Sequence, residues 1–130
     1  MKKSITLILV FVICFTFAFG VNAGGSAVNV TGSFSAYAAD EIGSASVVSG
    51  KKTTCSFTIH SVGFNGLPPN VFPSNGLSMV AYDSTTRVYR TFTSCTTKSG
   101  NYTPSVSYVK IGMENNNSIG TTVCYTWTVN

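Results

Sequence analysis

Apolar and polar residues alternate with a period of two along most of the chain after residue 23. Successive side chains of a β-strand point to opposite faces, so this pattern predicts half-buried strands, and no stretch shows the spacing of an amphipathic helix. The alternating or apolar segments are 28–36, 45–48, 54–59, 77–82, 88–93, 106–111 and 123–129. Their spacing predicts about seven short strands joined by turns rich in Gly, Asn and Ser.

Strands with one apolar face each predict an all-β domain, a small antiparallel β-sandwich, with a small β-barrel as the alternative. Trp127 stands on the apolar side of the last strand, and we expect it in the core. The apolar positions change phase between Ile59 and Val62, which predicts a β-bulge near His60 and Ser61. The polar segments 40–43, 98–101 and 114–120 are expected to be turns.

The first 23 residues have the features of a cleavable signal peptide. Lys2 and Lys3 precede an uncharged apolar run, and Val21 and Ala23 occupy the positions that signal peptidase reads. The apolar run of about 15 residues is shorter than the roughly 20 needed for a membrane-spanning helix. We therefore expect residues 24–130 to form one domain, secreted to the extracellular space or the cell surface.

Charge excludes one class of partner. Two of the eight Lys and Arg residues lie in the leader, so the mature domain carries six of them against four Asp and Glu. A domain so near neutrality, without a basic cluster, lacks the charge that nucleic-acid binding requires.

No combination of residues points to catalysis, a cofactor or a metal. The single histidine, His60, has no neighbouring nucleophile motif, and the four acidic residues lie in or beside predicted turns. His and Cys residues are not spaced as zinc ligands. We expect a protein that is not an enzyme.

Three cysteines remain after leader removal, and export permits a disulfide. Cys55 begins its predicted strand and Cys95 ends its own, so antiparallel neighbours would place them opposite each other. This argument predicts a Cys55–Cys95 bridge. The two other pairings, and the absence of any bridge, stay open. Face parity favours Cys95–Cys124, because both residues stand on hydroxyl-rich strand faces.

The longest connection, residues 66–76, holds three of the four prolines. Proline stiffens a loop before it binds, so Leu67, Val71 and Phe72 are candidates for an exposed contact, although the loop could instead cap the sandwich. We expect a secreted, non-catalytic binding or adhesion module that contacts a surface polymer, a glycan or a protein. The alternative is a membrane-active toxin or antimicrobial effector.

Overall fold

The computed structural model describes residues 23–130, so the predicted leader, except Ala23, lies outside the described residues. The described chain forms eight strands: β1 (Gly25–Phe34), β2 (Ala39–Ser46), β3 (Thr53–Phe64), β4 (Leu77–Tyr82), β5 (Arg87–Phe92), β6 (Thr97–Tyr102), β7 (Tyr108–Asn115) and β8 (Thr121–Val129). Among residues 23–130 there is no helix long and apolar enough to cross a membrane.

The strands build two antiparallel sheets of four. Sheet I has the order β1-β8-β3-β6, and sheet II has the order β2-β7-β4-β5. Their inner faces meet in a core that includes Phe57, Trp127, Met79 and Ile111, each at most 4% exposed. The predicted β-sandwich and the core position of Trp127 are confirmed, and the sheets do not close into a barrel.

Three segments predicted as turns belong to strands instead. Residues 98–101 lie in β6, residues 40–43 in β2, and residues 114–115 end β7. Polar side chains obscure β6 in the sequence because Lys98, on the inner side, bends over the edge: its Nζ donates to Thr91 O at 2.5 Å and lies 5.5 Å from the ring centre of Phe92. Buried Gly100 leaves room for Arg90 on the same side.

The predicted bulge in β3 is confirmed. The register with β8 shifts between Ile59 and Ser61, which leaves His60 as the extra residue, with Nε2 2.7 Å from Thr126 Oγ1 on the outer face. A second shift, between Ala27 and Val30 of β1, was not predicted. It turns Val28 outward, to 63% exposure, although the alternation placed this side chain with the core residues.

The predicted Cys55–Cys95 disulfide is wrong, because the three cysteines of the described chain are unpaired. Cys55 lies opposite Gly100, whereas the backbone next to Cys95 bonds near the other end of the ladder, where Ile59 N donates to Thr96 O. From Cys55 to Ile59, the residue bonded to the backbone beside Cys95, β3 spans roughly 13 Å. A bridge needs Cα atoms within about 7 Å.

The other two pairings fail for different reasons. Cys124 faces outward on β8 whereas Cys55 is buried on the inner side. Cys95 and Cys124 have β3 between them, which separates their backbones by about 9.5 Å.

Candidate functional site

The outer face of sheet II gathers aromatic and charged side chains from three strands. The pairing of β7 with β2 and β4 puts Lys110, Gly112 and Glu114 in the middle of this face. Tyr82 of β4 and Tyr89 of β5 stand on the same face, because they pair with Lys110 and with Val80 respectively. Residues paired across antiparallel strands share a face, so the register alone assembles this surface.

Gly112 forms the floor of a depression of about 220 Å³, which we call the slot. The slot is lined by Ala39, Asp40, Glu41, Val80, Tyr82, Arg87, Gly112 and Glu114. A Cβ atom on Gly112 would lie 3.0 Å from Val80 Cγ1 and 3.4 Å from the Tyr82 ring, so glycine keeps the floor open. The volume is below the roughly 300–1,000 Å³ of pockets that enclose small molecules, and it suits one side chain or one ring of a larger ligand.

Among the residues that line the slot, acidic side chains on the outer face outnumber basic ones. Two of them are carboxylates, Glu41 and Glu114, against one guanidinium, Arg87. Asp40 belongs to the inward-facing positions of β2 and meets the slot with its backbone carbonyl. Glu41 also pairs with Lys110 at 3.4 Å, but both side chains are nearly half exposed, and such pairs contribute at most about 1 kcal/mol.

Two tyrosines are held in place around the slot. The Tyr89 hydroxyl donates to Glu114 Oε2; burial raises the pKa of this hydroxyl and the bond to Glu114 raises it further. Tyr82 has the Arg87 guanidinium over its ring, 6.0 Å from the centre. Tyr89 therefore stays protonated as a donor at neutral pH, which leaves Glu114 as the acceptor.

The three residues predicted for binding in the 66–76 loop have different positions. Phe72 is half-buried and packs on Phe64 of the core with ring centres 5.8 Å apart, whereas Leu67 and Val71 are 38% and 42% exposed. Asn70 fixes the loop to β3, because its N–H donates to Val62 O at 2.9 Å and its Oδ1 accepts from Val62 N at 3.0 Å. The loop is thus attached to sheet I, while the slot lies on the outer face of sheet II.

Other reactive groups are dispersed. Within residues 23–130, no three His, Cys, Asp or Glu side chains are grouped to hold a metal ion. Burial raises the pKa of Cys55 to about 11, so this residue is a thiol at neutral pH. His60 lies on the outer face of sheet I, bonded to a threonine.

The pattern of apolar and polar residues does not predict the slot. Tyr89 was visible as an aromatic residue on the polar side of its strand, next to Thr91. Glu114 lies in a polar segment that predicts a turn. Tyr82 ends segment 77–82, where Ser78 is the single residue without an apolar or aromatic side chain and no alternation reveals the outward side. Only the register of β7 against β2 and β4 shows that these residues share a face.

No protein-family model matches the chain, and no curated protein matches it. Among solved structures, the chain is similar to the crystal structure of FLHE, with a TM-score of 0.49 and 15% identity over 82% of this chain and 91% of that chain.

Proposed function

We propose that this protein is an exported, non-catalytic binding module that takes a basic side chain of a protein partner into the slot. One observation carries the proposal: two carboxylates, Glu41 and Glu114, flank a floor kept open by Gly112. The partner's ammonium or guanidinium group would form charge-assisted hydrogen bonds there, which are stronger than bonds between neutral groups.

The residues around the slot also favour a protein as the partner. Tyr and Arg are the residue types that most often dominate the energy of protein interfaces, and Tyr82, Tyr89 and Arg87 lie side by side on this face. Tyr108, 46% exposed, extends the aromatic surface along β7. Rings held by neighbouring strands lose little conformational freedom on binding.

Peptide selection tests this proposal. The mature domain, immobilised, is used to select from a random-peptide display library, and fluorescence anisotropy then gives the Kd of enriched peptides. We expect these peptides to share an Arg or Lys, and Glu114→Gln to weaken their binding by about tenfold, since one charge-assisted bond is lost.

The control changes net charge by the same amount outside the slot. Ser49→Lys, in the exposed connection between β2 and β3, should leave the Kd unchanged. Enrichment of peptides without a basic residue would contradict the proposal. So would binding that survives Glu114→Gln but is lost in Phe72→Ala, which would assign the contact to the 66–76 loop.

A further inference from the structure

The outer face of sheet I presents a regular array of hydroxyl groups, which we call the hydroxyl face. Its centre consists of two rows that run across β6, β3 and β8. The rows are Ser99, Ser56 and Thr128, and Thr97, Thr58 and Thr126. Neighbouring strands lie about 4.8 Å apart and successive outward residues about 6.7 Å apart, so hydroxyls recur at short intervals in both directions.

The hydroxyls are ordered by one another. Thr58 Oγ1 lies 2.8 Å from Thr97 Oγ1, and Ser99 Oγ donates to Ser56 Oγ at 3.3 Å. A hydroxyl has one donor and two acceptor sites, so each bonded pair keeps one free donor and three free acceptor sites. The face is therefore pre-arranged and still able to bond a ligand.

Charged side chains are absent from the hydroxyl face in the described chain. Lys98 is the one charged residue in the strands of sheet I, and it pairs with inward-facing Phe57 and reaches over to Thr91 O. The remaining Asp, Glu, Lys and Arg residues of 23–130 lie in sheet II or in the connections. A ligand bound to this face therefore contacts no charged side chain and displaces no water from one.

This composition eliminates several partners. The outward positions of these four strands carry no Phe, Tyr, Trp or Arg, whereas Trp, Tyr and Arg are the usual anchors of protein interfaces. They also lack the cations that phosphate backbones and anionic lipids require. An uncharged ligand that bonds through many hydroxyl groups is what remains.

We propose that the hydroxyl face binds an uncharged polysaccharide. A single neutral hydrogen bond contributes only about 0.5–1.5 kcal/mol net, so useful affinity needs several bonds formed together. A polymer with repeated hydroxyl groups supplies them on one chain, and it matches a face without charge. This second surface is independent of the slot, and the two would let the domain hold a protein and a glycan at once.

Co-sedimentation with insoluble neutral polysaccharides tests the inference. The mature domain is mixed separately with microcrystalline cellulose, chitin, curdlan and granular starch, and the bound fraction is measured at low and high salt. We expect binding to at least one of them that is insensitive to salt. Thr58→Lys should weaken it by at least about tenfold, because an ammonium group without a partner would be desolvated.

The matched control is Thr91→Lys, which adds the same charge to an exposed strand threonine of sheet II and should bind like the unmodified domain. Glu114→Gln should also bind normally, which separates this result from the test of the slot. The inference is overturned if none of the four polysaccharides is bound or if Thr58→Lys binds equally well. It is also overturned if sedimentation velocity shows self-association that Thr58→Lys abolishes, since the face would then join two copies.

Discussion

Individual glycines show how closely the backbone is packed at the end of the 66–76 loop. Gly76 has φ of 63°, and a Cβ atom there would lie 2.2 Å from Phe92 O. Its own carbonyl accepts a bond of 2.8 Å from Asn117 Nδ2, so the backbone is held from both sides. Gly66, at the other end of the loop, has φ of 83° but no atom within 4 Å of such a Cβ.

Alanine substitutions at these two glycines should separate the cost of a positive φ from the cost of steric overlap between the new Cβ atom and the backbone. Gly66→Ala should cost about 1 kcal/mol, the price of the left-handed conformation alone. Gly76→Ala adds an overlap with backbone and should cost at least about 2 kcal/mol. Urea unfolding measures both free energies, and equal losses would show that the loop moves to accommodate the side chain.

Asp83 connects acid stability to one turn. Its Oδ1 accepts hydrogen bonds from the backbone N–H groups of Thr85 at 2.8 Å and Thr86 at 2.7 Å. Burial alone would raise the pKa of Asp83, but these bonds, with that of the Thr85 hydroxyl, outweigh burial and lower it. The folded protein thus favours the charged carboxylate.

A lowered pKa stabilises the fold above the unfolded-state pKa of about 3.9, and this stabilisation is lost as the pH falls through the folded-state value. At pH 7 we expect Asp83→Asn to lower the free energy of unfolding by about 1 kcal/mol. The difference from the unmodified domain should shrink when urea unfolding is repeated at acid pH. A difference that is constant with pH would show that the charge does not matter.

The cysteines should differ in reactivity because they differ in exposure. Cys95 is exposed, whereas Cys55 is fully buried and its pKa is raised to about 11. We expect Ellman's reagent to modify Cys95 rapidly in the native domain and Cys55 only when the domain unfolds. Cys95→Ser serves as the control, because it should remove the fast phase. Two thiols missing from the denatured total would reveal a disulfide instead.

Among the elements, those with a regular alternation were predictable and those held by specific contacts were not. The alternation over residues 123–129 predicts the strand β8, and the change of phase after Ile59 predicts the bulge at His60. In contrast, β6 reads as a polar turn because its inner positions include Lys98 and Gly100. Lys98 faces inward because it packs over the ring of Phe92. Gly100 is buried beside Arg90, and neither contact can be predicted from the local sequence.

The connection after β7 contains polar residues whose burial cannot be predicted from the local sequence. Asn115 and Asn117 are 1% and 4% exposed although three consecutive asparagines predict a solvated turn. Asn115 Nδ2 donates to Ser35 O and Ile119 O, and its Oδ1 accepts from Asn117 N. Buried amides of this kind replace backbone partners, so their positions depend on the tertiary fold and not on the local sequence.

At the scale of the whole molecule, the two sheets share one core but differ in their outer surfaces. Sheet II carries the carboxylates, the guanidinium and the tyrosines of the slot, whereas the outer face of sheet I carries hydroxyls. Ser and Thr occupy most polar positions of the alternating segments, which predicts strand faces rich in hydroxyl groups. Which strands shared it could not be predicted, because strand order is set by pairings between residues distant in the sequence.

The bulge in β1 has a consequence for the protein at high concentration. β1 is one of the two edge strands of sheet I, and at ten residues it is the longest edge strand of either sheet. An uninterrupted edge of that length would be a template for a strand of another molecule. The register shift between Ala27 and Val30, with Asn29 at φ of 52°, divides this edge into two short pieces. The same irregularity that exposes Val28 therefore opposes edge-to-edge aggregation.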